Sequence, residues 1–160
     1  MDDWEARIGA VWADDALTDT ERIVRIDALA AERGDDDARA LFERAGARDS
    51  AGIEVEAEGL YRRALDEGLD EEHRPQAVIQ LASTLRNLGR IDEALEMLRA
   101  ERERGGAFGD AASAFYALAL VSSGDPMRGA AIALEALAPH LPRYTRSVTG
   151  YARELVDPPR

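Results

Sequence analysis

Four polar side chains in the middle of the chain recur at helical spacing and could bind another molecule. Gln76, Gln80, Ser83 and Asn87 are four, three and four positions apart, which puts them on one side of an α-helix. Arg86 lies beside them. Their amide, hydroxyl and guanidinium groups can hydrogen-bond a peptide backbone or a carboxylate. The alternative is a solvated helix face that binds nothing, because any surface helix carries polar residues opposite its apolar stripe.

No other group of reactive side chains has the pattern of a catalytic or metal site. The chain has two histidines, His73 and His140, and no cysteine, which excludes zinc fingers, disulfides and thiol catalysis. Asp35, Asp36 and Asp37 lack the spaced ligands of a calcium loop and are expected to cap a helix. Phosphate-binding glycine loops and serine elbows are also missing. We therefore expect no enzyme activity, no catalytic residue, no metal and no cofactor.

Composition narrows the class of partner. The net charge is −12, and all twenty basic residues are arginine, which is typical of a GC-rich bacterial genome. The acidic excess disfavours nucleic acid and anionic membrane surfaces, which both need a basic footprint. The N-terminus lacks the pattern of a signal peptide, and the longest apolar run is far shorter than the roughly 18 residues of a membrane span. We expect a soluble, cytoplasmic protein with a protein or peptide partner.

Apolar residues recur at helical spacing almost from end to end, and strand-like alternation is missing. The pattern predicts about nine helices joined by short connections. The seventh, around residues 111–121, is apolar almost all round and is expected to be buried on most sides. Residues 157–160 are expected to fray. The expected signals at helix starts are a capping box at Thr18 and Glu21, Pro75 in a first turn, Asp110 as a cap, and Asp125 before Pro126.

An internal repeat organises these helices. One segment has large, small, large, turn, small and large residues at the spacing of a tetratricopeptide repeat, at Leu81, Ala82, Leu85, Gly89, Ala94 and Leu98. The same register recurs around Gly52 and Gly124, so the turn glycines are 37 and 35 residues apart. The first copy departs from the pattern, since Arg44 and Arg48 stand where large apolar residues are usual.

The chain thus resembles the tetratricopeptide repeat family, and the stretch from Ala38 to Leu98 looks like the divergent bacterial group 5 of that family. The resemblance implies an all-α fold, a right-handed α-solenoid of antiparallel helix pairs. It implies one domain over residues 1–160, with about three repeats at 38–140. Residues 1–33 are then a flanking helix pair, and residues 143–155 a C-terminal capping helix.

In that family the first helix of each pair lines a concave groove in which peptides bind. The resemblance places the third, fifth and seventh helices there. It therefore extends the candidate groove to Arg39, Phe42, Gln76, Gln80, Ser83, Arg86, Asn87 and Ser122. Our first hypothesis is a protein-interaction scaffold that holds a peptide in this groove. The alternative is a structural protein that forms a homodimer through Trp4 and Trp12 or through the ninth helix.

Overall fold

Within residues 3–157, which the computed structural model describes, the chain forms nine α-helices, one 3-10 turn and no β-strand. Successive helices pack against each other, α3 on α4 and α7 on α8 for example, as in a helical-repeat protein. The predicted all-α class is therefore confirmed. The expected fraying concerns Asp157 and residues 158–160, and the latter lie outside the described range. The helices are α1 (Asp3–Trp12), α2 (Asp19–Ala30), α3 (Ala38–Ser50), α4 (Glu54–Asp66), α5 (His73–Asn87), α6 (Ile91–Arg104), α7 (Gly109–Ser122), α8 (Pro126–Leu137) and α9 (Thr145–Glu154), and the 3-10 turn is Ala138–His140.

The chain divides into two compact units, Met1–Thr84 and Leu85–Arg160. The first holds α1 to α4 and most of α5, and the second holds the end of α5 and the remaining helices. The first unit contains 22 acidic residues and ten arginines, whereas the second contains ten of each. The whole net charge of −12 therefore belongs to the first unit. The expected single domain, with its flanking pair and its C-terminal cap, stays a prediction.

Side-chain caps fix the start of several helices. The Thr18 hydroxyl accepts a hydrogen bond from the Glu21 backbone N–H at 3.3 Å, and the Glu21 carboxylate accepts one from the Thr18 N–H at 2.9 Å. The carboxylate of Asp125 accepts a hydrogen bond from the Arg128 backbone N–H at 3.1 Å and so caps α8, with Pro126 as the first residue of that helix. Pro75 lies in the first turn of α5, where its missing N–H costs nothing. These predicted signals are all present.

The expected cap at Asp110 is wrong. α7 begins one residue earlier, at Gly109, and Phe108 precedes it without a side-chain cap. Asp110 lies in the first turn, and its carboxylate instead contacts Nε2 of His140 at 2.7 Å. An acidic residue in a first turn is favourable through the helix dipole, so the sequence signal was real but displaced by one position.

The three turn glycines share one backbone geometry. Gly52, Gly89 and Gly124 have positive φ angles of 72°, 81° and 92°. In each case the residue after the glycine donates its N–H to the carbonyl five positions earlier, at 2.8–2.9 Å. This bond and the left-handed glycine end one helix and start the next. The periodicity read from the sequence is therefore repeated in three dimensions.

Arginines replace apolar contacts between α2, α3 and α4 in the first unit. The guanidinium of Arg48 donates two hydrogen bonds of 2.8 Å to the carboxylate of Asp27 and one to Glu56. Arg44 also donates to Asp27, at 3.2 Å. Partial burial opposes ionisation of Asp27, but the two arginines outweigh it and lower its pKa. These salt bridges give Arg44 and Arg48 a structural role at positions where the repeat pattern has large apolar residues.

In the second unit, α7 and α8 approach each other closely at Gly129. A Cβ atom added to Gly129 would lie 2.8 Å from the carbonyl oxygen of Ala117 and 3.0 Å from Val121. The prediction that α7 is buried on most sides is confirmed for all but one stripe. Leu118 and Val121 are 46% and 52% exposed and lie with Ala114 on that stripe, whereas the other residues between 111 and 121 are buried or half-buried. The neighbouring helices α6 and α8 cover most of α7, which buries Tyr116 and Leu120, and they leave only this stripe open.

Candidate functional site

The polar row on α5 lies on a partly exposed helix face, as expected from its spacing. Gln76, Gln80 and Ser83 are all half-buried. The Gln76 amide nitrogen donates to the backbone carbonyl of Glu72 at 3.0 Å, so its amide is held along its own helix. The Ser83 hydroxyl has no hydrogen-bond partner among the described residues.

A buried tyrosine fixes the orientation of Gln80. Tyr61, on α4, is fully buried, and its hydroxyl donates to Oε1 of Gln80. Burial raises the pKa of Tyr61, so the phenol stays protonated and remains a donor. Oε1 thus accepts from Tyr61, and the amide nitrogen of Gln80 carries two N–H donors for another molecule. It makes no hydrogen bond within residues 3–157, so the helix pair holds a donor ready for an incoming acceptor.

The carboxyl group of Asp49 contacts the same tyrosine hydroxyl that orients Gln80. Asp49, on α3, has Oδ1 at 3.1 Å from the Thr84 hydroxyl and Oδ2 at 3.4 Å from the Tyr61 hydroxyl. Burial raises the pKa of Asp49, although these two hydroxyl groups counteract part of the shift. Together, Asp49, Tyr61 and Thr84 join α3, α4 and α5 beneath the polar row.

The two candidate residues on α3 are occupied inside the first unit. The Arg39 guanidinium forms ion pairs with Glu43 and, at 3.0 Å, with Glu5 of α1. It also lies over the rings of Trp4 and Phe42. Phe42 is only 7% exposed and packs against Tyr61 and His73. Arg39 and Phe42 therefore make their contacts within the first unit and offer little free surface to a partner.

The remaining candidates belong to the second unit. Arg86 donates to the neighbouring Asn87 side chain at 3.3 Å, and Asn87 is exposed. Ser122, at the end of α7, is exposed and donates to the carbonyl of Leu118 at 3.2 Å. Their part in a groove shared with α3 and α5 stays a prediction.

The polar side chains that bond to Arg39 and Tyr61 in the first unit were not identified from the sequence. Glu43 is a buried carboxylate that accepts from the indole N–H of Trp12 and from Arg39. Trp12 also approaches α3 so closely that a Cβ on Gly46 would lie 3.4 Å from its ring. The available signal for Glu43 was its position directly after the apolar residues Leu41 and Phe42. A buried carboxylate needs a partner, so this position predicted an ion pair or a hydrogen bond. Asp49 and Thr84 gave no such signal.

The tryptophans proposed for self-association are largely used within the fold. Trp4 is buried and donates its indole N–H to the carbonyl of Leu29 at 2.8 Å. Trp12 is half-buried. Of the two routes to a homodimer, the one through Trp4 and Trp12 therefore has little surface available.

The histidines are paired with single carboxylates. His73 contacts Asp70 at 2.8 Å, and His140 contacts Asp110. Among residues 3–157, no group of three or more His, Asp or Glu side chains is placed to hold a metal ion. In the same range, no helix is both long and apolar enough to cross a bilayer.

Comparison with known proteins supplies the family. The family model described as "Tetratrico peptide repeat" matches residues 38–155, which is well over half of the chain. The match begins with the first residue of α3 and ends just after α9, so α1 and α2 lie outside it. A search of curated proteins gave no match. Repeats of this type generally act as interaction or scaffold modules rather than as catalysts. The chain belongs to the tetratricopeptide repeat family.

Proposed function

We propose that this protein binds a peptide segment of another protein along α5 of its first unit. The observation that carries the proposal is the Gln80 amide, which Tyr61 orients and whose nitrogen has no partner among the described residues. A peptide carbonyl is the acceptor that such a donor fits. The family supports the general role, because its repeats are protein-interaction modules.

The length of the row suggests how much peptide it holds. Gln76 and Ser83 are seven residues apart, which on a helix is about 10 Å. An extended peptide covers that distance with about three residues. Gln80 would donate to one backbone carbonyl, and the Ser83 hydroxyl would bond a neighbouring peptide group. Arg39 and Phe42 support this face from α3 instead of touching the peptide.

The expected affinity is modest. Each neutral hydrogen bond contributes about 0.5–1.5 kcal/mol net, and ordering a flexible peptide costs part of that gain. The proposal rests on the first unit alone, and a role for Arg86, Asn87 and Ser122 in binding stays a prediction. Homodimer formation is the alternative function, and it now depends on α9, since Trp4 is buried.

A random-peptide display selection followed by titration tests the proposal. Peptides selected on the unchanged protein are titrated against the double variant Gln80→Ala/Ser83→Ala. The matched control is Glu96→Ala/Arg99→Ala, two exposed α6 residues with the same three-residue spacing. We expect the first pair to weaken binding about fivefold or more, and the control pair to leave it unchanged. Equal affinity for both variants would exclude the α5 row as the binding surface.

A further inference from the structure

The C-terminal helix exposes two aromatic side chains. Tyr144, which precedes α9, is 72% exposed, and Tyr151 is 66% exposed. They are seven residues apart, with Tyr144 as the N-cap residue of α9 at a left-handed φ of 71°, so their Cα atoms lie near one edge of the helix, about two turns from each other. Exposed tyrosines are frequent in protein interfaces, where a large ring gives contact area at low entropic cost.

The opposite edge of α9 is cationic. Arg146 and Arg153 are also seven residues apart, and both are exposed. Neither forms an ion pair or hydrogen bond with any described residue, and Arg143, just before the helix, only stacks on the Tyr144 ring. In the first unit, by contrast, arginines such as Arg48 are held by carboxylates. The arginines of α9 are therefore free to meet an external anion.

Small residues separate the two edges. Ser147 and Gly150 lie between them by helical spacing, both are exposed, and a Cβ on Gly150 would meet no atom within 4 Å. The exposed Glu154 ends the same strip, one turn after Gly150. The result is a shallow track along α9, with Tyr144 and Tyr151 on one side and the two arginines on the other.

We propose that this track is a docking surface for an acidic segment of a partner protein. Carboxylates of the segment would pair with Arg146 and Arg153, bidentately where the geometry allows. Its apolar side chains would pack on Tyr144 and Tyr151. Charge supports this occupant, because the second unit has no net charge overall and residues 126–160 carry five arginines against three acidic residues.

Two other occupants fit less well. An antiparallel two-fold contact between the α9 helices of two copies would bring their arginines together, and like charges in contact are unfavourable. A membrane surface needs a free apolar face, but α9 packs on α8 and on the 3-10 turn, with Ala152 buried and with Val148 and Leu155 half-buried. This surface shares no residue with the α5 row, so each proposal can fail without the other.

Fluorescence anisotropy with two synthetic peptides tests the proposal. The probe is a labelled 12-residue peptide of Ser, Gly, Leu and Glu. It has two glutamates three residues apart, because an extended chain then covers the roughly 10 Å between the arginines. The reference peptide has glutamine at both glutamate positions. We expect the acidic peptide to bind about fivefold more tightly at low salt, and the preference to shrink as salt rises.

The decisive comparison uses two charge-matched double variants. Arg146→Gln/Arg153→Gln should abolish the preference, whereas Arg99→Gln/Arg104→Gln, at exposed sites on α6, should preserve it. Tyr151→Ser should weaken both peptides, and Met127→Ser, at another exposed apolar site, should not. Equal loss from both arginine pairs would show that binding reflects overall charge and would overturn the proposal.

Two further measurements identify the competing occupants. Light scattering would overturn the proposal if the protein formed a dimer that Arg146→Gln/Arg153→Gln dissolved, because the track would then bind a second copy. Co-sedimentation with vesicles containing phosphatidylserine would overturn it if the same variant abolished membrane binding. A monomer that ignores vesicles and keeps the peptide preference supports an acidic protein segment.

Discussion

Gly129→Ala tests how tightly α7 and α8 must approach. Gly129 is buried in the first turn of α8, and an alanine Cβ there would lie 2.8 Å from the Ala117 carbonyl oxygen. That distance is shorter than real Cβ contacts, and the obstacle is backbone, so no side-chain rotation relieves it. α8 would have to move away from α7.

Two opposing effects set the size of the change. Alanine is favoured over glycine within a helix by about 1 kcal/mol. Inserting a methyl group into a well-packed contact costs about 1–3 kcal/mol, and contact with backbone favours the upper part of that range. The expected net effect is therefore a destabilisation of about 1–2 kcal/mol, which lowers Tm by about 3–6 °C for a chain of this length.

Differential scanning calorimetry measures this shift, and Gly59→Ala is the matched control. Gly59 lies in the interior of α4, and a Cβ there would meet no atom within 4 Å. Only the helix-propensity effect remains, so we expect about 1 kcal/mol of stabilisation. Both tryptophans of the chain, Trp4 and Trp12, lie in the first unit. The unfolding transition reported by their fluorescence should therefore shift in Gly59→Ala but not in Gly129→Ala. A Tm for Gly129→Ala at or above that of the unchanged protein would refute the close approach of α7 and α8.

Three further predictions concern stability. Burial raises the pKa of Asp49, so the folded state holds this proton more tightly than the unfolded state does. The resulting contribution to stability is present at low pH and is lost as pH rises through the raised pKa. Asp49→Asn has no such loss, so its free energy of unfolding in urea titrations should fall less than that of the unchanged protein between about pH 4 and 7. Arg48→Met leaves Asp27 without its bidentate partner and should cost about 1–2 kcal/mol at pH 7; a neutral result in the same titrations would show that this salt bridge is dispensable. Thr18→Ala removes the capping box and should cost about 1 kcal/mol, seen as faster amide exchange at the start of α2.

Local sequence signals predicted the helical framework well. Thr18 with Glu21 and Asp125 with Pro126 act within four residues, so their chemistry is complete in the sequence itself. The glycines at 52, 89 and 124 identified the turns because few other residues adopt a positive φ angle. These short-range rules need no knowledge of which helices meet.

Long-range pairings could not be predicted in the same way. Arg48 meets Asp27 across 21 positions, and Tyr61 meets Gln80 across 19. Such partners depend on how the helices are aligned, which hydrophobic spacing alone does not specify. For the same reason Arg39 looked available for binding, although Glu5 and Glu43 hold it, and Leu118 looked buried, although neighbouring helices leave it uncovered.

The repeated bond at Gly52, Gly89 and Gly124 also determines where the chain can change in length. Each residue added within a helix rotates everything beyond it by about 100°, so a single insertion inside a hairpin would turn buried alanines outward. Extra residues after α4 or α6 lengthen only a loop, which costs little closure entropy. The unequal intervals of 37 and 35 residues are compatible with such changes between hairpins. Homologues of this protein should therefore differ in length at the loops after α4 and α6, while each helix hairpin keeps its length.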